Sequence, residues 1–291
     1  MNAVLETKTV VEPAPSGGGD GKRVAALMPA YNTGDSINRA VASLVNGTFP
    51  CDIYIVDDGS DIPVSRILDN FPRTKIIRLD KNTGVVNARN VGLTAILAQP
   101  YDFVAFLDAD DIAYPDRIAR QVEFLDSHPE IAGVGTWVRH IAGKSGKPLF
   151  IERTPVTPAT VRKGLNYNSA VINTTFMVRT NVLRLVGLYS DRYSVAEDYE
   201  LFRRISQQFS LSNIPDVLAD RQVLATGISL TNRRRQLLDR LRIQLRYLDV
   251  WEASSWLGML KTLVLFLVPV RLLTTVKRYL PSAALLPSVG V

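Results

Sequence analysis

The 291-residue sequence predicts an α/β fold, a mostly parallel central sheet flanked by helices, on three observations. From Lys22 onward, apolar runs of strand length alternate with segments of helical periodicity, the mark of βαβ units rather than of a sandwich or a bundle. Two of the runs, CDIYIV from Cys51 and YDFVAFL from Tyr101, are almost continuously apolar, as strands covered on both faces are. Each of them ends in acids, Asp57-Asp58 and Asp108-Ala109-Asp110-Asp111. Parallel strands would deliver these carboxylates to one carboxyl edge, where ligands of open α/β sheets bind.

Val24 to Pro29 is the first strand, and Ile37, Ala40, Val41 and Leu44 then fall at helical spacing behind the capping candidates Asp35 and Ser36. The second strand ends at Asp57, a short helix covers Val64 to Asn70, and Thr74 to Leu79 is the third strand. Asn82-Thr83-Gly84 is a turn that opens a helix with Val86, Leu93 and Leu97 on one face, and the fourth strand ends at Leu107. Pro115 fits the first turn of the next helix, whose inward stripe is Ile118, Val122 and Leu125 and which stops at His128-Pro129. A fifth strand runs from Ile131 to Val138, and Gly143 to Pro158, rich in Pro, Gly and charge, reads as a surface excursion. Val171 to Arg179 reads as a strand and Glu197 to Phe209 as a helix with Leu201, Phe202, Ile205 and Phe209 inward.

Apolar residues make up 46% of the chain, enough for a sizeable core. Cys51, the single cysteine, excludes an internal disulfide and reads as a small buried hydrophobe, in keeping with a reducing compartment. The net charge of +6 is uneven: from Thr231 onward ten Lys or Arg face three acids, so the tail carries +7 and the remainder −1. That distribution points to an anionic surface touched by the tail, not to nucleic acid bound across the fold. Residues 1–21 contain no apolar stretch of signal-peptide type and read as a disordered lead, with an expectation of a cytosolic start. Residues 22–230 form the expected catalytic unit and 231–291 a basic, helical C-terminal part.

Several acids gathered at one sheet edge repel one another unless a cation joins them, so a divalent metal carrying a phosphorylated ligand is the simplest account. Five motifs occur in order: Pro29-Ala30-Tyr31-Asn32, Val56-Asp57-Asp58-Gly59-Ser60, Asn82-Thr83-Gly84 with Ala88-Arg89-Asn90-Val91-Gly92, Phe106-Leu107-Asp108-Ala109-Asp110-Asp111, and Ala196-Glu197-Asp198-Tyr199-Glu200-Leu201. Together they resemble the family 2 glycosyltransferases, which have the GT-A fold, over about Arg23 to Ser229. The resemblance implies inverting transfer of a sugar from a nucleotide diphosphate donor, with a divalent cation, Mg²⁺ or Mn²⁺. It places Tyr31 and Asp58 at the nucleotide base, Asp108 at the ribose or in the metal shell, Asp110 on the metal, and Asp198 as catalytic base. The chemistry asks for such groups: the leaving diphosphate needs a hard cation held by one or two carboxylates, and the acceptor hydroxyl needs a general base.

Each residue also has a structural reading. Tyr31 could pack on the core, Asp58 could fix its own Asp-Gly turn, and Glu197 could be a helix-start residue. Arg89 is open to two readings, a phosphate ligand and a helix-face arginine paired with a nearby acid. Asp57 receives no role. Many relatives carry a histidine beyond the Glu-Asp motif, but the stretch Asp220 to Ala225 has none, which leaves Arg221 as a candidate to neutralise the diphosphate. His128 and His140 read as structural.

In the tail, Leu237, Leu238, Leu241, Leu245 and Leu248 form a helical stripe, and Trp256 to Leu273 is strongly apolar but too short and interrupted to span a bilayer. An in-plane membrane helix is the preferred reading over packing on the catalytic unit or spanning. The expected partners are a nucleotide-sugar donor, a lipid-linked saccharide acceptor and the membrane surface, at the cytoplasmic face of the inner membrane. The rival functions are a sugar-1-phosphate nucleotidyltransferase, which would need a Gly- and Arg-rich phosphate loop after the first strand, and a noncatalytic membrane scaffold.

Overall fold

A computed structural model of the chain describes residues 21–193, 195–223 and 233–267. The strands are β1 (Val24–Ala30), β2 (Asp52–Asp57), β3 (Thr74–Arg78), β4 (Phe103–Phe106), β5 (Ile112–Ala113), β6 (Ile131–Ala142), β7 (Lys147–Glu152), β8 (Met177–Arg179) and β9 (Ser210–Val223). The helices are α1 (Ser36–Val45), α2 (Val64–Ile67), α3 (Val85–Leu97), α4 (Arg117–Ser127), α5 (Pro158–Gly164), α6 (Thr180–Val186), α7 (Glu197–Ile205), α8 (Arg233–Arg246) and α9 (Ala253–Leu267). All strands join one sheet in the order β3-β2-β1-β4-β8-β6-β9-β5, with β7 paired to β6.

The expected alternation in the first half is present, and β3-β2-β1-β4 is parallel throughout. The expectation of a mostly parallel sheet needs correction: β8 joins β4 and β6 antiparallel, β5 joins β9 antiparallel, and only β6 and β9 are parallel beyond β4. The sheet is mixed because β8 enters after a 3₁₀ turn, Asn173–Thr175, that reverses the chain beside β4. That turn also shortens the expected strand from Val171 to three residues. Gly143 to Pro158, expected as an excursion, contains β7, which returns along β6 as a hairpin.

Alternation along the parallel strands sends side chains to two cores. Ala25, Leu27, Tyr54 and Val56 face α3, α6 and α7, whereas Ala26, Met28, Ile53 and Ile55 face α1, α2 and α4. The stripe of α1 is buried as expected, but Asp35 makes no side-chain cap; Ser36 Oγ instead donates to the carbonyls of Thr33 and Ala109, tying α1 to the acidic loop. Pro115 lies ahead of α4 instead of in its first turn. Cys51 is 6% exposed, and burial pushes its thiol up to about 12. The lead 1–20 and the boundary near residue 230 lie outside the described residues.

Helix α8 departs from the expected stripe. Helix α8 buries Leu237, Asp239, Ile243 and Gln244, while Leu238 and Leu245 of the expected stripe are exposed. Helix α9 buries Ser254, Ser255, Gly258 and Thr262. No described helix is long and apolar enough to cross a membrane.

Candidate active site

The carboxyl ends of β1, β2 and β4, the start of α3 and the start of α7 converge on one edge. After β1 the Tyr31 ring is 48% exposed, and the following Asn32, at φ 49°, exchanges hydrogen bonds with Asp61 through both its amide atoms. Its backbone N–H donates to Ser60 Oγ, so the β1 and β2 loops are laced together beneath an uncovered aromatic face.

The adjacent acids Asp57 and Asp58 do different work. Asp57 is fully buried and accepts from the backbone of Ser60 and Val64 and from Arg78. Burial alone would raise its pKa, but those bonds outweigh it and hold the carboxyl below its ordinary value. It orders the loop, a role that a run of two acids does not advertise. Asp58 accepts at 2.8 Å from Thr83 N–H and Thr83 Oγ and at 2.8 Å from Gly84 N–H, which fixes the turn ahead of α3. A carboxylate has about four acceptor sites, so roughly one remains for a ligand. Gly59 sits at φ +70°, and a Cβ there would lie 2.4 Å from the Lys81 carbonyl carbon, so the two loops touch backbone to backbone.

Arg89 reaches across the site from α3. Its Nη1 donates to Glu197 Oε1 at 2.6 Å, its Nη2 to Asp108 Oδ1 at 3.1 Å, and its guanidinium lies 5.4 Å from the centre of the Tyr189 ring. Burial works against its charge, but Asp108, Tyr189, Glu197 and Asp198 more than compensate and raise its pKa. The Arg89 residue is 6% exposed, and its guanidinium already sits on two carboxylates. It is a brace that holds the end of β4 to the start of α7. Burial pushes Glu197 up to about 7 against the pull of Arg89, with Asp198 adding to the push. Asp198, half-buried, accepts the backbone N–H of Tyr199.

At the end of β4, the Asp108 N–H donates to Thr174 Oγ. Asp110 receives no hydrogen bond from another described residue, and burial followed by the neighbouring Asp108 raises its pKa. Asp111 is 1% exposed, accepts from the Gln222 N–H, and leaves Oδ2 unpartnered; burial, Asp108 and Asp110 push it well up. Among the described residues no cluster of three His, Cys, Asp or Glu could hold a metal. A pair suffices for a hard cation that keeps several waters, and Asp110, raised by burial and by Asp108 despite the pull of Arg221, has the crowding such a cation relieves.

Arg221 and Arg117 supply positive charge that the motifs do not display. Arg221 on β9 is drawn to its charged form, against burial, by Asp108, Asp111, Glu152 and Asp198, yet it has no ion-pair partner within 4.0 Å among the described residues. Arg117 lies fully buried behind Asp111, donating to the Phe106 carbonyl and to Gln121, and burial pulls it down to about 10. The two histidines are structural as expected: His128 bonds the Phe124 carbonyl, and His140 pairs with Glu152 at 2.7 Å. A cavity of about 460 Å³ opens beside the site, between Thr83, Gly84, Asn87 and Asn90 of the α3 end and Tyr189 to Asp191.

Residues 25–191 match the family model described as Glycosyl transferase family 2. The chain is similar to the amylovoran biosynthesis glycosyltransferase AmsE of Erwinia amylovora, 28% identical over 72% of this chain and 79% of that protein. It is also similar to the UDP-Glc:alpha-D-GlcNAc-diphosphoundecaprenol beta-1,3-glucosyltransferase WfaP of Escherichia coli, 26% identical over 62% and 69%. Among solved structures, S. aureus TarS 1–349 in complex with UDP-GlcNAc superposes with a TM-score of 0.61 over 84% of this chain and 71% of that one, at 20% identity, which speaks for a shared GT-A-like α/β fold.

Proposed function

The chain belongs to glycosyl transferase family 2, and from that premise we propose that it moves a sugar, with inversion, from a nucleotide diphosphate sugar to a hydroxyl of a saccharide acceptor in polysaccharide biosynthesis. The observation that carries this reading is the Arg89 brace, which joins Asp108 at the donor edge to Glu197 and so sets Asp198 beside it. Family membership sets aside the nucleotidyltransferase alternative. A uridine nucleotide is the expected donor carrier, since WfaP uses UDP-Glc by name and the TarS complex holds UDP-GlcNAc.

The Tyr31 face and the remaining acceptor site of Asp58 receive the nucleotide base. Asp108 and Asp110 would hold Mg²⁺ or Mn²⁺, which when bound would neutralise charge on the diphosphate. Arg221 on β9, with no ion pair within 4.0 Å among the described residues, would oppose the same charge. Asp198 accepts the proton of the acceptor hydroxyl as its oxygen bonds to the anomeric carbon; the bond from that carbon to the diphosphate breaks, and the electron pair leaves with the nucleoside diphosphate. The acceptor is a lipid-linked saccharide, as the name of WfaP suggests for that protein, and the enzyme works peripherally at the cytoplasmic face of the inner membrane.

The test is Asp198→Asn, assayed for UDP release from UDP-glucose and UDP-GlcNAc with Mn²⁺ present and for thermal shift by UDP. We expect turnover to fall by about 10² to 10⁴ fold while the UDP-induced shift is kept. A fully active variant would remove the base assignment, and a wild-type protein with no turnover on any nucleotide sugar would leave the scaffold reading in place.

A further inference from the structure

Helix α9 is turned inside out relative to an ordinary surface helix. The face packed on the protein is small and polar, Ser254, Ser255, Gly258 and Thr262, each under about a tenth exposed. The opposite face carries Trp256 (50% exposed), Leu257 (53%), Leu260 (58%), Leu263 (43%), Val264 (49%) and Leu267 (79%). Trp256, Leu260, Leu263 and Leu267 fall at i, i+4, i+7 and i+11, so they form one continuous stripe. Amphipathic packing would bury this face and expose the serines, and water-exposed apolar stripes of this kind mark a contact surface.

The orientation is fixed by the contacts beneath it. A Cβ at Gly258 would lie 2.0 Å from the Asn166 carbonyl oxygen, so only glycine lets the helix backbone approach there. Asn166 Nδ2 donates to Ser254 Oγ at 2.7 Å, and Gln244 of α8 donates to the Asn166 carbonyl. Arg203 of α7 holds Asn166 Oδ1 and the Tyr247 carbonyl, and the Tyr247 hydroxyl donates to Glu200, also on α7. Rotating α9 to hide its leucines would break the Ser254 bond to Asn166 and the close approach at Gly258.

We propose that the exposed stripe of α9 enters the headgroup and upper acyl region of an anionic lipid bilayer, in plane, and that through Asn166 and Arg203 it holds the α7 helix that carries Asp198 in fixed relation to the lipid surface. The charge of the region selects this occupant. Lys261 lies exposed within α9, and α8, packed alongside, exposes Arg234, Arg235, Arg242 and Arg246, of which only Arg242 has an acid partner among the described residues. A second copy apposed through the same face would bring two such cationic sets together, whereas anionic headgroups match them. The described 15 residues of α9 extend about 22 Å at 1.5 Å per residue, sufficient to lie in the interface. The lipid-linked nature of the acceptor rests on the transferase reading above; the bilayer contact itself does not.

The experiment sediments the full chain with vesicles of phosphatidylglycerol and phosphatidylethanolamine, and with neutral phosphatidylcholine vesicles, comparing wild type with the Leu260→Glu/Leu263→Glu double variant. Both positions are exposed, so the variant keeps its fold, which circular dichroism and donor hydrolysis check. Wild type should bind the anionic vesicles at least tenfold more strongly than the neutral ones, and the double variant should lose at least tenfold of that. Unchanged binding by the variant overturns the proposal, because another segment would then hold the lipid. So does a wild-type dimer in solution that the same substitutions convert to monomer. Loss of donor hydrolysis in wild type with vesicle binding intact would count against the transferase reading and leave the bilayer contact standing.

Discussion

Arg89 concentrates the electrostatics of the site in one side chain, and its removal should be costly out of proportion to its size. In an Arg89→Met variant, Asp108 and Glu197 lose their shared counter-charge in a buried setting, and about 3 to 5 kcal/mol of stability should go, read as a lowered urea midpoint. Adding Glu197→Gln should return part of the loss. Glu197 gives a pH prediction. Its folded value, about 7, lies above the ordinary 4.5, so its contribution to stability is full below about pH 4.5 and is lost as pH rises through 7. Relative to wild type, Glu197→Gln should therefore gain stability from pH 5 to pH 8, by on the order of 1 to 3 kcal/mol. Parallel pH curves for the two proteins would sink that assignment. The acids at this edge were legible from the sequence because they end apolar runs. Their division of labour was not, since it depends on which backbone N–H groups and side chains, Arg78 for Asp57 and Thr83 for Asp58, the folded loops bring to each.

Elements built from local pattern were readable, and elements defined by distant partners were not. The other strands and helices up to Leu125 follow from alternation and helical spacing and appear close to where expected, α2 ending three residues early, but the two-residue β5, which pairs with β9, was not foreseen. Beyond Ile131 the sheet is assembled from long-range pairings, β6 with β9 above all; β8 keeps only the last three residues of the strand expected from Val171, and the hairpin strand β7, with Leu149, Phe150 and Ile151 exposed, carries no period of its own. The two loop contacts made by glycine have measurable weight. Gly59→Ala must accept both a left-handed φ and a clash with the Lys81 backbone, and about 1 to 3 kcal/mol of stability should be lost, together with weaker UDP binding. Gly258→Val should lift α9 from Asn166, seen as faster hydrogen exchange in α9 with the sheet unaffected.

At the scale of the whole molecule, the uneven charge was visible in composition, but its presentation on α8 was not, because helical spacing alone groups Leu238 and Leu245 with the buried Leu237. The same chain offers an unusual practical opening. Its lone thiol, Cys51, is buried and pushed up to about 12, so thiol-directed dyes will find almost nothing to react with on the folded wild-type protein. A cysteine introduced at position 260 would then be the one addressable atom, and an environment-sensitive fluorophore there would report immersion depth, wavelength by wavelength, without any need to delete Cys51.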